Sequence, residues 1–193
     1  MTQLQRIYEA IRSDPDSQVT VGADFPPLYT ASETARLVLV GQAPGLKAQQ
    51  SGIPWNDASG DKLRLWLGMS REKFYDSQLV SLLPMDFYYP GKGLHGDLPP
   101  RKGFAPLWHP QILAEMPDVR LFILIGSYAQ RFYLGTSAKK TLTDTVRSFH
   151  EYLPEYFPLV HPSPLNFRWQ VKNPWFMSDV IPELQAYVRN LLA

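Results

Sequence analysis

Residues 36–45 read RLVLVGQAPG. An unbroken run of branched aliphatic side chains without polar alternation describes a strand covered on both faces, the kind found inside a parallel sheet. The glycine-bounded loop GQAPG follows at once, so this strand ends in a turn with an exposed backbone. Outward from it, three more strand-like runs stand at residues 78–83, 119–125 (VRLFILI) and 157–160. Helical spacing lies around them, at residues 2–12, 59–67 and 107–116, with a short helix capped by Ser70 and another capped by Ser127. The last helix is expected over residues 178–192, with Pro182 near its start. Strands alternating with helices predict an α/β fold, with parallel strands joined by right-handed crossovers and helices on both faces of an open sheet. Ligands of such folds sit at the carboxyl ends of the strands. Two of those ends carry the most unusual loops, GQAPG at 41–45 and HPSPLN at 161–166.

Composition narrows the class of function. The 193 residues are 45% hydrophobic and 19% charged, which suits a folded core and excludes wholesale disorder. No repeat or linker interrupts the chain, so a single domain over residues 1–193 is expected. Lysine and arginine number 19 against 18 acidic residues, so any contact with a polyanion must come from a local patch. The absence of cysteine excludes disulfides, thiolate nucleophiles and cysteine-ligated clusters, and fits a cytoplasmic protein. The longest apolar run, residues 121–125, is too short to span a bilayer, and MTQLQRIYEA lacks the apolar core of a secretion signal. No membrane partner is expected.

Several side chains suggest chemistry. His161 leaves an apolar strand and precedes two prolines, so its backbone is stiff and a neutral imidazole there is placed to donate a hydrogen bond. His95, His109 and His150 lack that setting, and no ligand spacing points to a metal. Asp57, just before a helix, either caps that helix or orients a water molecule. Trp55, between a proline and an asparagine in a loop, is suited to stack on a planar group. GQAPG itself is neither a dinucleotide fingerprint nor a Walker-type phosphate loop, because the second glycine pair and the lysine are missing.

Together these pieces resemble the uracil-DNA glycosylase superfamily. GQAPG at 41–45 is similar to the GEAPG and GLAPG first motifs of its family 4 and family 5 enzymes, and HPSPLN at 161–166 to their HPSP second motif. The stretch Ser51-Gly52-Ile53-Pro54-Trp55 resembles the family's glycine-x-proline-aromatic segment, and Asp57 to Leu63 its D-x-S-G-x-x-L run. The likeness extends from Arg36 through Arg168.

The resemblance implies a three-layer α/β/α sandwich with a small, about four-stranded parallel sheet. It also implies hydrolysis of the N-glycosidic bond of uracil or a related damaged base flipped out of DNA, in base-excision repair. His161 would donate to the departing pyrimidine, assisted by backbone N–H groups in the stretch Ala43 to Gly45, and Ala43, Pro44 and Gly45 would border the base. Trp55 matches the stacking aromatic, and Gln78 falls at the asparagine that reads the base edge, a departure that leaves strict uracil selectivity open. Gln42 stands where family 4 has glutamate and holds water by hydrogen bonds but takes no proton, while Asp57 matches the aspartate of the family 5 run, so Asp57 or Gln42 would handle the water. Ser163, Pro164, Leu165 and Arg168 would grip DNA, Leu165 as an apolar wedge, with Lys172, Arg101, Lys102, Lys139 and Lys140 extending the surface. No cofactor is implied, since without cysteine the family 4 iron–sulfur cluster has no ligands, and a monomer is expected. Two other readings compete: a nucleic-acid-binding module of the same fold without hydrolysis, and an enzyme acting on a free nucleoside or nucleotide.

Overall fold

Aliphatic runs become strands where both faces can be covered, and the sequence supplies four of them for one sheet. The computed structural model describes residues 1–15, 25–94 and 96–193. In chain order its strands are β1 (Leu37–Val40), β2 (Val80–Leu82), β3 (Lys92–Gly93), β4 (Gly96–Asp97), β5 (Leu121–Ile125) and β6 (Tyr156–Leu159). The main sheet is parallel throughout, in the order β2-β1-β5-β6. The other two strands form a small antiparallel hairpin, with Lys92 opposite Asp97. Pro158 lies in β6, which among the described residues pairs only with β5, so its missing N–H costs no ladder bond there.

Alternate side chains of each strand enter two separate cores. Leu37, Leu39, Ile123 and Phe157 pack with Leu63, Trp66 and Leu67 of helix Ala58–Leu67 and with Leu184 and Val188 of helix Ile181–Leu191. Val38, Val40 and Leu124 pack on the other face with Ile7 and Ile11 of helix Gln3–Ser13, and with Phe104 and Ile112 of helix Phe104–Leu113. Helices therefore cover both faces, the α/β/α sandwich expected from the sequence. The chain leaves β1 for β2 on one side and then returns to β5 on the other. The crevice at the carboxyl ends of β1 and β5 is the switch point where such sheets bind ligands.

Boundaries differ from the sequence reading in instructive ways. The helix expected over 107–116 begins at Phe104, because Pro106 lies in the first turn, where no intrahelical N–H bond is lost. Gly126, not Ser127, occupies the cap of helix Ser127–Leu134. The final helix starts as a π-turn at Phe176–Val180 and becomes α-helical at Ile181. No helix among the described residues is long and apolar enough to cross a membrane.

Candidate active site

The loop after β1 stays tied to the sheet. Met85 and Asp86 donate their N–H groups to the carbonyls of Gly41 and Gln42 at 2.8 and 3.1 Å, so the ladder between the first two strands runs on into the glycine motif. Past that motif the chain forms helix Leu46–Ser51 and then Trp55, whose φ of 56° puts a bulky residue in the left-handed region. Backbone strain of this kind gathers at functional sites. The conformation is held from below: Tyr75 donates its hydroxyl to the Pro54 carbonyl at 2.8 Å, and buried Arg64 donates to the Trp55 carbonyl at 3.5 Å. Two glycines leave room for it. A Cβ on Gly41 would stand 2.8 Å from the Trp55 ring, and one on Gly60 would stand 1.7 Å from the Trp55 carbonyl oxygen.

His161 follows β6 and meets Trp55 ring to ring, 5.7 Å between centroids and tilted by 31°. Its Nδ1 accepts the Ser163 N–H at 3.2 Å, and its carbonyl accepts the Asn166 side-chain amide at 2.7 Å. With Nδ1 an acceptor, the neutral ring carries its proton on Nε2. Burial pushes the His161 pKa below its ordinary value, opposed by the carboxylates of Asp57 and Asp97. Neutral imidazole with one N–H to give is thus the form present at neutral pH.

A cavity of about 230 Å³ opens beside this ring. That is below the usual range for drug-sized ligands and suits one heterocycle. Ala43, Pro44 and Gly45 line it together with Trp55, Asp57 and His161, so the two motifs far apart in sequence share one wall system. Asp57 caps helix Ala58–Leu67, one carboxylate oxygen accepting the Gly60 N–H at 2.9 Å, and the residue also borders the cavity.

Other expected site residues lie elsewhere. Gln42 borders a second cavity of about 270 Å³, also lined by His161, and its amide donates to the Leu98 carbonyl at 2.9 Å. Gln78 must be corrected: it precedes β2, at the amino end of the sheet, where its side-chain oxygen accepts from Thr34 at 2.9 Å and the residue borders a separate depression with Tyr8 and Tyr29. The residue at the carboxyl end of β2 that reaches the cavity is Pro84, which has no amide to offer. Ser163 lines the cavity, and its hydroxyl accepts the Leu165 N–H at 3.2 Å, closing a one-turn helix Pro164–Asn166. Leu165 is 91% exposed, an apolar side chain held in water two residues past Ser163, and Arg168 is exposed on the next helix, Phe167–Lys172.

Arg101 turns inward to buried Asp86, through Nε at 2.8 Å and Nη2 at 2.7 Å, and so acts as a clamp on the 86–101 loop instead of a surface cation. His109 is a core residue, with Nδ1 on the Tyr133 hydroxyl at 2.7 Å and Nε2 on the Pro84 carbonyl at 2.9 Å. His95 lies outside the described residues. Among the described residues no three His, Cys, Asp or Glu side chains cluster in a way that holds a metal. Asp97 was not anticipated: the hairpin brings it to the same cavity as His161. The linear signal for it was faint, a Gly-Asp pair inside a glycine- and proline-rich loop.

Comparison with known proteins agrees with this architecture. A family model describing the uracil DNA glycosylase superfamily matches residues 27–185. Among solved structures, the chain is similar to the solution NMR structure of a candidate uracil DNA glycosylase from Methanosarcina acetivorans. The identity is 16% and the TM-score 0.50, over 86% of this chain and 96% of that one, a likeness of fold.

Proposed function

This chain belongs to the uracil DNA glycosylase superfamily, and from that premise we propose that it is a hydrolase that cleaves the N-glycosidic bond of uracil or a related damaged base extruded from DNA. The base enters the cavity beside Trp55 and stacks against its ring, recovering part of the few kcal/mol that unstacking costs. As the bond from C1′ to the base breaks, its electron pair leaves with the base and positive charge develops on the sugar. His161 donates Nε2–H to the base oxygen that gains charge, and backbone amides of the 43–45 loop assist. Asp57 holds the attacking water through the carboxylate oxygen that does not cap its helix. Leu165 fills the gap left by the extruded base, while Ser163 and Pro164 shape that loop and Arg168 faces phosphate. The protein acts as a cytoplasmic monomer and as a single domain, without a cofactor.

One observation carries this reading: the Ser163 N–H on His161 Nδ1 leaves Nε2 as the ring's proton carrier beside a base-sized cavity. Incubation at enzyme excess with uracil-containing single- and double-stranded DNA tests it. Abasic sites are expected, and none forming on any uracil- or damaged-base substrate contradicts it.

A second reading has its own support. Gln42 holds the position of an acid in family 4 and its amide is engaged by Leu98, so a module that binds an extruded base without hydrolysing it is the alternative. Binding without cleavage, unchanged by His161→Ala, would favour that alternative.

A further inference from the structure

The hairpin of β3 and β4 is fastened at its base and bare at its tip. Leu98, just beyond β4, donates its N–H to the Gly91 carbonyl at 2.9 Å and accepts the Gln42 amide, while Tyr89 donates its N–H to Gln49 Oε1 at 2.8 Å. Asp86, fully buried, takes the Arg101 N–H at 3.1 Å in addition to its guanidinium, which pins both ends of the loop that carries the hairpin. Leu94 at the tip is 99% exposed. The residue this arrangement delivers to the cavity is Asp97, whose Oδ1 accepts a hydrogen bond from the Tyr89 hydroxyl at 3.4 Å.

The electrostatics of the cavity match one step of the reaction. Among the described residues that line it are two carboxylates, Asp57 and Asp97, and no lysine or arginine. One oxygen of Asp57 is already engaged by the Gly60 N–H. A wall of this sign does not suit the anionic base, whose charge falls to His161, but it suits the sugar that turns cationic.

We propose that Asp97 is a further catalytic residue, a carboxylate carried to the cavity by the hairpin and set against the cationic sugar. The inference rests on the function proposed above. In the step it serves, the bond from C1′ to the base breaks with its electron pair on the base, and a water oxygen forms the new bond to C1′. The water's proton passes to solvent by way of a carboxylate, and Asp97 itself forms no covalent bond. Asp57 still holds the water, and Gln42 ties the glycine motif to the hairpin through the Leu98 carbonyl.

The test compares affinity for two DNA strands, one with a neutral tetrahydrofuran abasic analogue and one with a protonated pyrrolidine analogue of the cationic sugar. The native protein is expected to favour the cationic analogue by about tenfold or more, the scale of one charge pair a few Å apart at a wet surface. Asp97→Asn keeps the Tyr89 hydrogen bond and loses the charge, so it should remove most of that preference while binding the neutral analogue as before. In excision assays the same variant should lower kcat and leave KM nearly unchanged. A native protein without the preference, or an Asp97→Asn variant that retains it, overturns the proposal. A protein whose preference is lost in Asp97→Asn but which excises no base places the carboxylate against the sugar and contradicts the proposed hydrolysis, whereas excision without the preference contradicts only the role of Asp97, so the two failures are distinguishable.

Discussion

His109 and His161 start from the same physics and stand in opposite surroundings. Burial pushes both imidazoles below their ordinary pKa, His109 to about 4. At His109 both ring nitrogens are engaged, by Tyr133 and Pro84, and only 1% of the residue is exposed. At His161 Nδ1 has its partner within the loop, and the residue lines two cavities. Desolvation alone therefore does not distinguish the two histidines; a cavity beside the ring does.

Substitution should separate the two residues most sharply. His161→Ala is expected to lower kcat by ~10²–10³, the usual cost of losing one preorganised donor, with a stability change below about 1 kcal/mol. His109→Ala should do the reverse. It leaves the Pro84 carbonyl and Tyr133 hydroxyl without a partner inside a cavity, costing about 2–4 kcal/mol by chemical denaturation, with kcat per folded molecule preserved. Equal losses of activity from both variants would break the contrast.

The pH dependence of stability sharpens it. His109 binds its proton more weakly when folded than when unfolded, so its contribution is complete above pH 6.5. As pH falls from there to about 4 that contribution is lost, amounting to about 3 kcal/mol. Denaturation midpoints at neutral pH and at pH 4 measure it, and His109→Gln should lose less across that window. His161 is shifted in the same direction, so excision should hold at neutral pH and decline only below the ordinary histidine range.

Smaller effects probe the surroundings of His161. Gly41→Ala places a methyl against the Trp55 ring, which must give way; a roughly tenfold loss in kcat/KM is expected, with overpacking costs of about 1–3 kcal/mol. Leu165→Ala should weaken activity on duplex DNA by several-fold and spare single strands, since a wedge matters only where a stack must be held open.

What was legible in the sequence follows the same divide. RLVLV and VRLFILI announce strands buried on both faces, and parallel strands align their carboxyl ends, so the GQAPG and HPSPLN loops were bound to approach each other. Asp57 beside a helix start and Trp55 in its loop were legible for the same local reasons. Gln78 misleads because motif offsets count residues, whereas the strand's direction puts that residue at the far end of the sheet. Asp97 was hidden because β3 and β4 are too short for any periodicity, and their placement depends on long-range ties through Gln42, Asp86 and Arg101. Three short helices, Leu46–Ser51, Leu142–Arg147 and Phe167–Lys172, likewise occupy stretches too brief to show a clear apolar stripe, and of the three Leu142–Arg147 alone has a side-chain cap, from Thr141.

The central claim is that His161 waits as a neutral imidazole with its proton on Nε2. Nitrogen-15 NMR of the histidine rings reads this directly, with His161→Gln identifying the signal. An unprotonated Nδ1 and a protonated Nε2 at pH 7, titrating below 6.5, are predicted. A proton on Nδ1, or an imidazolium persisting at pH 7, would contradict the account.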